Sequence, residues 1–182
     1  MMHGIPWIEG RVPELETDRL RMRGHRVADL ASCAALWSDP IVTRFIGGRP
    51  STVEEAWARL LRYVGHWALL GHGFWVVEDK ATGEYVGEVG IGEFMREIEP
   101  RIEGRPEVGW VVASRHHGKG YATEAVRAAL TWGETRFGKR RFACIIAPEN
   151  AASLNVAAKT GFREAARTTY KGEPTVVLYR EP

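Results

Sequence analysis

The chain has 182 residues, a formal net charge of +2 at pH 7, 26% charged and 45% hydrophobic residues, values ordinary for one soluble globular domain with a substantial core. The small net charge decides nothing about nucleic acid by itself, but no Lys/Arg run with interleaved aromatics is present, so no nucleic-acid partner is expected. No apolar run reaches the roughly 18 residues of a membrane helix and the first residues do not spell a signal peptide, so the expectation is a cytoplasmic protein without a membrane partner.

Residues 1 to 14 carry Pro6, Gly10 and Pro13 and read as an irregular arm ahead of one domain spanning 15 to 182. From Leu15 to Arg23 the last four residues alternate apolar and polar, as a half-buried or edge strand does. Asp29 then caps a helix through Trp37, which Ser38, Asp39 and Pro40 end. Between Ile41 and Pro50 glycine and proline make a loop, and Ser51 or Thr52 with the glutamates that follow opens a helix to about Leu70 by a capping box. At Gly73 the period changes to two: Phe74 to Asp79, a turn at Lys80 to Glu84, and Tyr85 to Gly92 form a hairpin. The charged stretch 94–106, with Pro100 and Gly104, reads as a loop.

The stretch that follows organises the chain. Glu107 to Ala113 is a mostly apolar strand, and after Gly120 the residues Ala122, Ala125, Ala129 and Trp132 recur at helical spacing. A tight turn with Gly118 and Gly120 therefore joins a strand to a helix N-terminus, whose unpaired N–H groups and dipole favour phosphate oxygens. Neither a P-loop nor a dinucleotide fingerprint is spelled here. The helix ends near Phe137 and Gly138, and Arg141 to Ala147 is an apolar strand. Asn150 caps the next helix, and Gly161 stops it with Phe162 set for a Schellman-type contact. Arg163 to Tyr170 and Thr175 to Arg180 make a last hairpin. Cys33 and Cys144 lie far apart without a metal-ligand neighbourhood and read as buried, reduced thiols. The fold class is α+β: a mainly antiparallel mixed sheet in which the crossover makes strands 107–113 and 141–147 parallel neighbours.

The spelling Arg115-x-x-Gly118-x-Gly120 followed by Tyr121 to Ala125 resembles the acetyl-coenzyme A pyrophosphate loop of the GNAT superfamily of N-acetyltransferases. Downstream, Asn150-x-x-Ser153 and Lys159-x-Gly161-Phe162 are similar to the helix that follows in that superfamily, and Leu15-Glu16-Thr17-Asp18-Arg19-Leu20-x-x-Arg23 resembles the opening strand of its RimJ/RimL-type branch. The resemblance implies a GNAT fold of six to seven strands and about four helices, with a splayed parallel pair that takes the pantetheine arm between its strands. It implies direct transfer of an acetyl group from acetyl-CoA to a primary amine, of a protein N-terminus or a small molecule, with no metal and no covalent nucleophile. A non-catalytic acyl-CoA sensor and another acyl donor are the alternatives. A homodimer is possible on the strength of seven Trp residues.

Residue by residue, the resemblance implies coenzyme contacts at Val111, Val112, Ala113, Arg115, His116, His117, Gly118, Lys119, Gly120, Tyr121, Ala122, Asn150 and Ser153. The oxyanion donor is expected among the backbone N–H groups around Val111 and Val112. Many members carry a Tyr acid seven residues after the helix Asn, where this chain has Ala157, which leaves Ser153 for that role. Asn150 and Ser153 also serve the helix cap, and Lys119 reads equally as a solvated charge. For the base, Glu107 ranks ahead of Glu88, with a surface carboxylate as the competing reading.

Overall fold

The computed structural model describes residues 12–102 and 104–182. Its strands are β1 (Leu15–Glu16), β2 (Leu20–Arg23), β3 (Phe74–Asp79), β4 (Tyr85–Gly92), β5 (Glu107–Val112), β6 (Phe142–Ile146), β7 (Arg163–Tyr170) and β8 (Glu173–Arg180). The helices are α1 (Leu30–Ser38), α2 (Pro40–Thr43), α3 (Val53–Leu70), α4 (Tyr121–Phe137) and α5 (Ala151–Lys159), with short 3-10 turns at Val27–Asp29 and Ser114–His116. All eight strands join one sheet in the order β1-β2-β3-β4-β5-β6-β8-β7, parallel at β5–β6 and antiparallel elsewhere.

The expected α+β sheet is present, with eight strands. One strand more arises because the opening stretch folds back on itself, pairing Leu15 with Met22. The turn is fastened from a distance: Thr17 donates its hydroxyl to Glu124 of α4 at 2.5 Å and accepts from the Leu20 N–H at 2.9 Å. The fifth helix is α2, capped by Asp39 through the Ile41 N–H inside the segment expected to be loop. Asp29 does not cap α1 with its side chain, contrary to expectation; its carboxylate accepts from Arg23 and from the Arg26 N–H. The expected arm falls largely on residues 1–11, outside the described residues; beyond them, Pro13 O accepts the Trp75 indole N–H at 2.8 Å.

The capping box at α3 forms between Thr52 and Glu55, and Gly71 ends that helix at φ +69°. The hairpin β3–β4 occupies the expected residues, and Gly87 and Gly90 let its neighbours approach closely: a Cβ on Gly90 would lie 2.3 Å from Phe74 Cα, and one on Gly87 2.1 Å from Val111 O. One face of the sheet packs on α4 and α5 around Trp75, Val89, Ile91, Val126, Phe142 and Phe162. On the other face α1 and α3 cover Val111 and Ala113 of β5, and the segment carrying Ile98 and Ile102 covers Ala143 and Val177. Among the described residues no helix is long and apolar enough to cross a membrane.

Candidate active site at the β5–β6 divergence

The two parallel strands touch at one register pair, Glu107 with Ala143, fastened by Ala143 N–H to Pro106 O at 3.0 Å. Beyond it they part. Peptide groups alternate sides along a strand. Ala113 N–H donates to Val86 O on the β4 side, so Val111, opposite Glu88, also turns its peptide groups to β4. Trp110 and Val112, by the same parity as Pro106, turn theirs toward β6 and the divergence. The Val112 carbonyl is accordingly free of the ladder and accepts from His117 Nε2 at 2.8 Å. Of the two oxyanion donors expected from the sequence, Val112 has its N–H aimed into the gap and Val111 has its N–H committed to β4; Trp110 joins Val112 as a donor that side-chain reading could not reveal.

At the end of β5 the chain makes the 3-10 turn Ser114–His116, then passes Gly118 at φ +75° and Gly120 at φ +80° into α4. Both dihedrals are left-handed and favour glycine. Gly120 is the N-cap and has no side chain to cover the first turn, so the opening N–H groups of α4, from Tyr121 onward, face outward beside the helix dipole. A Cβ on Gly118 would meet nothing within 4 Å, which leaves room for a ligand over the loop. Arg19 braces this turn from β2's approach, donating Nη1 to Lys119 O at 2.9 Å and Nε to Glu124 at 2.7 Å. The Arg115 guanidinium donates to Tyr85 O.

The loop residues divide by exposure. Arg115, His117, Gly118, Lys119 and Gly120 are exposed and Ala122 is half-buried, whereas His116 and Tyr121 are buried. Burial first, then the charges of Arg115 and Lys119, hold the His116 pKa below its usual value, so it is neutral near pH 7. Tyr121 donates its hydroxyl to Asp79 and has Arg19 over its ring at 4.6 Å. On the far side of the divergence, Asn150 Oδ1 accepts from the Ser153 N–H at 3.1 Å and caps α5. Ser153 is half-buried there, and Ala157 is fully buried.

The two candidate carboxylates are both buried and are held differently. Glu107 is gripped by Arg96 through two hydrogen bonds of 2.7 Å, and Arg96 also donates to Tyr170. That grip ties the segment before β5 to the sheet and occupies both carboxylate oxygens. Glu88 is completely buried, accepting from Trp37 Nε1 at 2.8 Å and from the Tyr85 hydroxyl at 2.7 Å. Both lie on the α1–α3 face with Val111, by strand alternation.

A profile of the family described as "Acetyltransferase (GNAT) domain" matches residues 19–163. This chain belongs to the GNAT acetyltransferases. Protein YkkB of Bacillus subtilis (strain 168) is 34% identical to it, over 91% of this chain and 94% of that protein. N-acetyltransferase p20 of Bacillus licheniformis is 28% identical over 82% of each. Among solved structures, a GnaT-family acetyltransferase from Bordetella pertussis superposes with a TM-score of 0.81 at 32% identity, covering 92% of this chain and 99% of that one.

Within this GNAT domain the β5–α4 loop follows the C-terminal end of β5 and α5 follows the C-terminal end of β6, the two strands of the parallel pair. What sequence reading missed is the support behind them: Arg19 under the loop, Arg96 on Glu107, and the partners of Glu88. Each is joined by a pairing across many residues, for which a single chain carries no local signal.

Proposed function

We propose that this enzyme moves an acetyl group from acetyl-CoA to a primary amine by direct transfer, in the manner of the RimJ/RimL-type branch. The observation that carries this reading is the divergence of β5 from β6, with the Trp110 and Val112 peptide groups turned into it and an uncapped helix N-terminus at its mouth. A pantetheine arm is a row of amides, which pairs with strand peptide groups of that parity; its pyrophosphate suits the amides of Gly118 to Ala122, with Arg115, His117 and Lys119 supplying positive charge. Ala113 and Asn150 flank the same channel. Acetyl-CoA supplies the activated acyl group as a thioester.

The chain's own residues then have three tasks. The Val112 N–H, aimed where negative charge develops on the acyl oxygen, stabilises the tetrahedral oxyanion. Ser153, in the first turn of α5 across the gap, is the hydroxyl for the departing thiolate. A carboxylate on the α1–α3 face accepts the amine proton, since only a neutral amine attacks. The acceptor enters between α1–α3 and the segment 94–106, over a floor of Tyr63, Phe74 and Phe94.

Thiol release from acetyl-CoA, measured against protein N-terminal peptides, amino acids, spermidine and aminoglycosides, tests the proposal, with coenzyme binding followed by calorimetry. Turnover with one amine class is the expected result. The buried Ala157, where many members carry a Tyr acid, favours a second reading as a binding module, which tight coenzyme binding without turnover would select. Absence of coenzyme binding would sink both.

A further inference from the structure

On the α1–α3 face Glu88 belongs to a buried polar cluster whose histidine no step above uses. His25 is buried, its side chain fully so, and neither ring nitrogen has a hydrogen-bond partner among the described residues. Its Nε2 stands 3.6 Å from Glu88 Oε1, at ion-pair distance and just beyond a hydrogen bond. Buried imidazole nitrogens are ordinarily satisfied, so two on one ring without a hydrogen-bond partner among the described residues single this group out. The ring lies against Tyr63, with centroids 5.0 Å apart, and Tyr63 stacks on Phe74 at 4.6 Å, so His25 backs directly onto the aromatic floor where the acceptor enters. Glu88 is the cross-strand partner of Val111, the residue before Val112.

Resting on the acetyl-transfer reading, we propose that the Glu88–His25 pair, rather than Glu107, receives the proton that the acceptor amine loses. The carbon–nitrogen bond forms as the carbon–sulfur bond breaks; the sulfur leaves as thiolate and takes the Ser153 hydroxyl proton, which solvent restores, and the nitrogen's proton passes across water to the buried pair and then to solvent, so that one proton is lost and one gained. The pair suits this task because a neutral imidazole can take up a proton while the carboxylate beside it keeps the ring oriented and faces the charge that forms. Glu107 suits it less, because Arg96 already occupies both of its oxygens.

The groups facing the pair are Asp29 from the 3-10 turn, Cys33 and Trp37 from α1, Arg59 and Tyr63 from α3, and Tyr85 from β4. Burial alone would raise the Glu88 pKa; His25, Tyr85 and Trp37 outweigh it and keep the carboxylate ionised. Arg59, with its guanidinium 3.5 Å above the Trp37 ring, adds positive charge on the same side. Asp29 is itself engaged by Arg23, whereas Glu88 stands at ion-pair distance from His25.

The test is the pH dependence of kcat/KM for the best acceptor, at saturating acetyl-CoA, in wild type, Glu88→Gln, His25→Gln and Glu107→Gln. Expected are losses of about 100-fold or more in kcat for the first two, the usual weight of a general base, disappearance of the acidic limb of the profile, and coenzyme affinity unchanged by calorimetry. Intact acidic limbs in folded Glu88→Gln and His25→Gln, or loss of the limb in Glu107→Gln alone, would overturn the pair while leaving acetyl transfer standing. Should the variants not fold, NMR titration of His25 in the wild type decides: a ring pKa matching the kinetic limb supports the proposal, and a ring that does not titrate between about pH 5 and 9 overturns it. A wild type that neither binds coenzyme nor releases thiol would remove the underlying reading together with the pair.

Discussion

Arg23 shows how single side chains set the architecture around the site. It is buried, yet it carries a full charge because Asp29 takes two of its N–H groups at 2.8 Å and Glu78 takes two more at 2.9 and 2.6 Å. Burial would raise the Asp29 pKa; Arg23 and the Arg26 N–H outweigh it and lower it instead. A carboxyl depressed in the folded state contributes stability that is complete above its unfolded value, about 3.9, and is lost as pH falls through the lower folded value. Asp29→Asn should therefore cost about 3–5 kcal/mol near neutral pH, because Arg23 is left partly uncompensated in the interior. Below about pH 4 the variant's stability should fall less steeply than that of the wild type. Urea unfolding between pH 7 and 3 measures both, and parallel acid slopes would refute the assignment. The sequence named Asp29 as a helix cap, which is its local chemistry; that a partner six residues earlier takes the carboxylate depends on how β2 lies against α1, and no local pattern encodes it.

At the scale of elements the reading was most complete where one periodicity ran without interruption. The β3–β4 hairpin, the α3 capping box and the Gly161 stop were all legible, because alternation, an Asx or Thr cap and a left-handed glycine act within a few residues. The β1–β2 turn was not, since Thr17 turns the chain by bonding Glu124 on α4. Two glycines of these elements separate conformational freedom from space. Gly90 in β4 has neighbouring backbone inside 2.4 Å of any added Cβ, at Phe74 Cα and Gly73 O, so Gly90→Ala must push β3 away and should cost about 2–3 kcal/mol. Gly65 in the middle of α3 has nothing within 4 Å of an added Cβ, and Gly65→Ala should stabilise by about 0.5–1 kcal/mol through the better helix propensity. Denaturant midpoints at constant slope measure the pair, and equal effects of the same sign would contradict the close approach at β4.

For the whole molecule, the divergence of β5 from β6 makes a sheet of two parts, β1 to β5 and β6 to β8, joined by one ladder pair and by the core under α4 and α5. The loop spelling made the glycine turn at the mouth of this gap legible, whereas the parity that chooses Trp110 and Val112 over Val111 needed the register with β4. A ligand that lies in the gap and hydrogen-bonds both parts adds its binding energy to global stability. At a free concentration 100 times its Kd, acetyl-CoA should stabilise the fold by about 2.7 kcal/mol and raise Tm by about 5–10 °C. The same ligand should slow hydrogen exchange at the Trp110 and Val112 amides, which face the gap, and leave Val111, already paired to Glu88, little changed. A rise in Tm without new protection at Trp110 and Val112 would mean that the coenzyme binds elsewhere on the chain. Protection at both, with His117 released from the Val112 carbonyl, would show the pantetheine arm taking the position that strand parity leaves open for it.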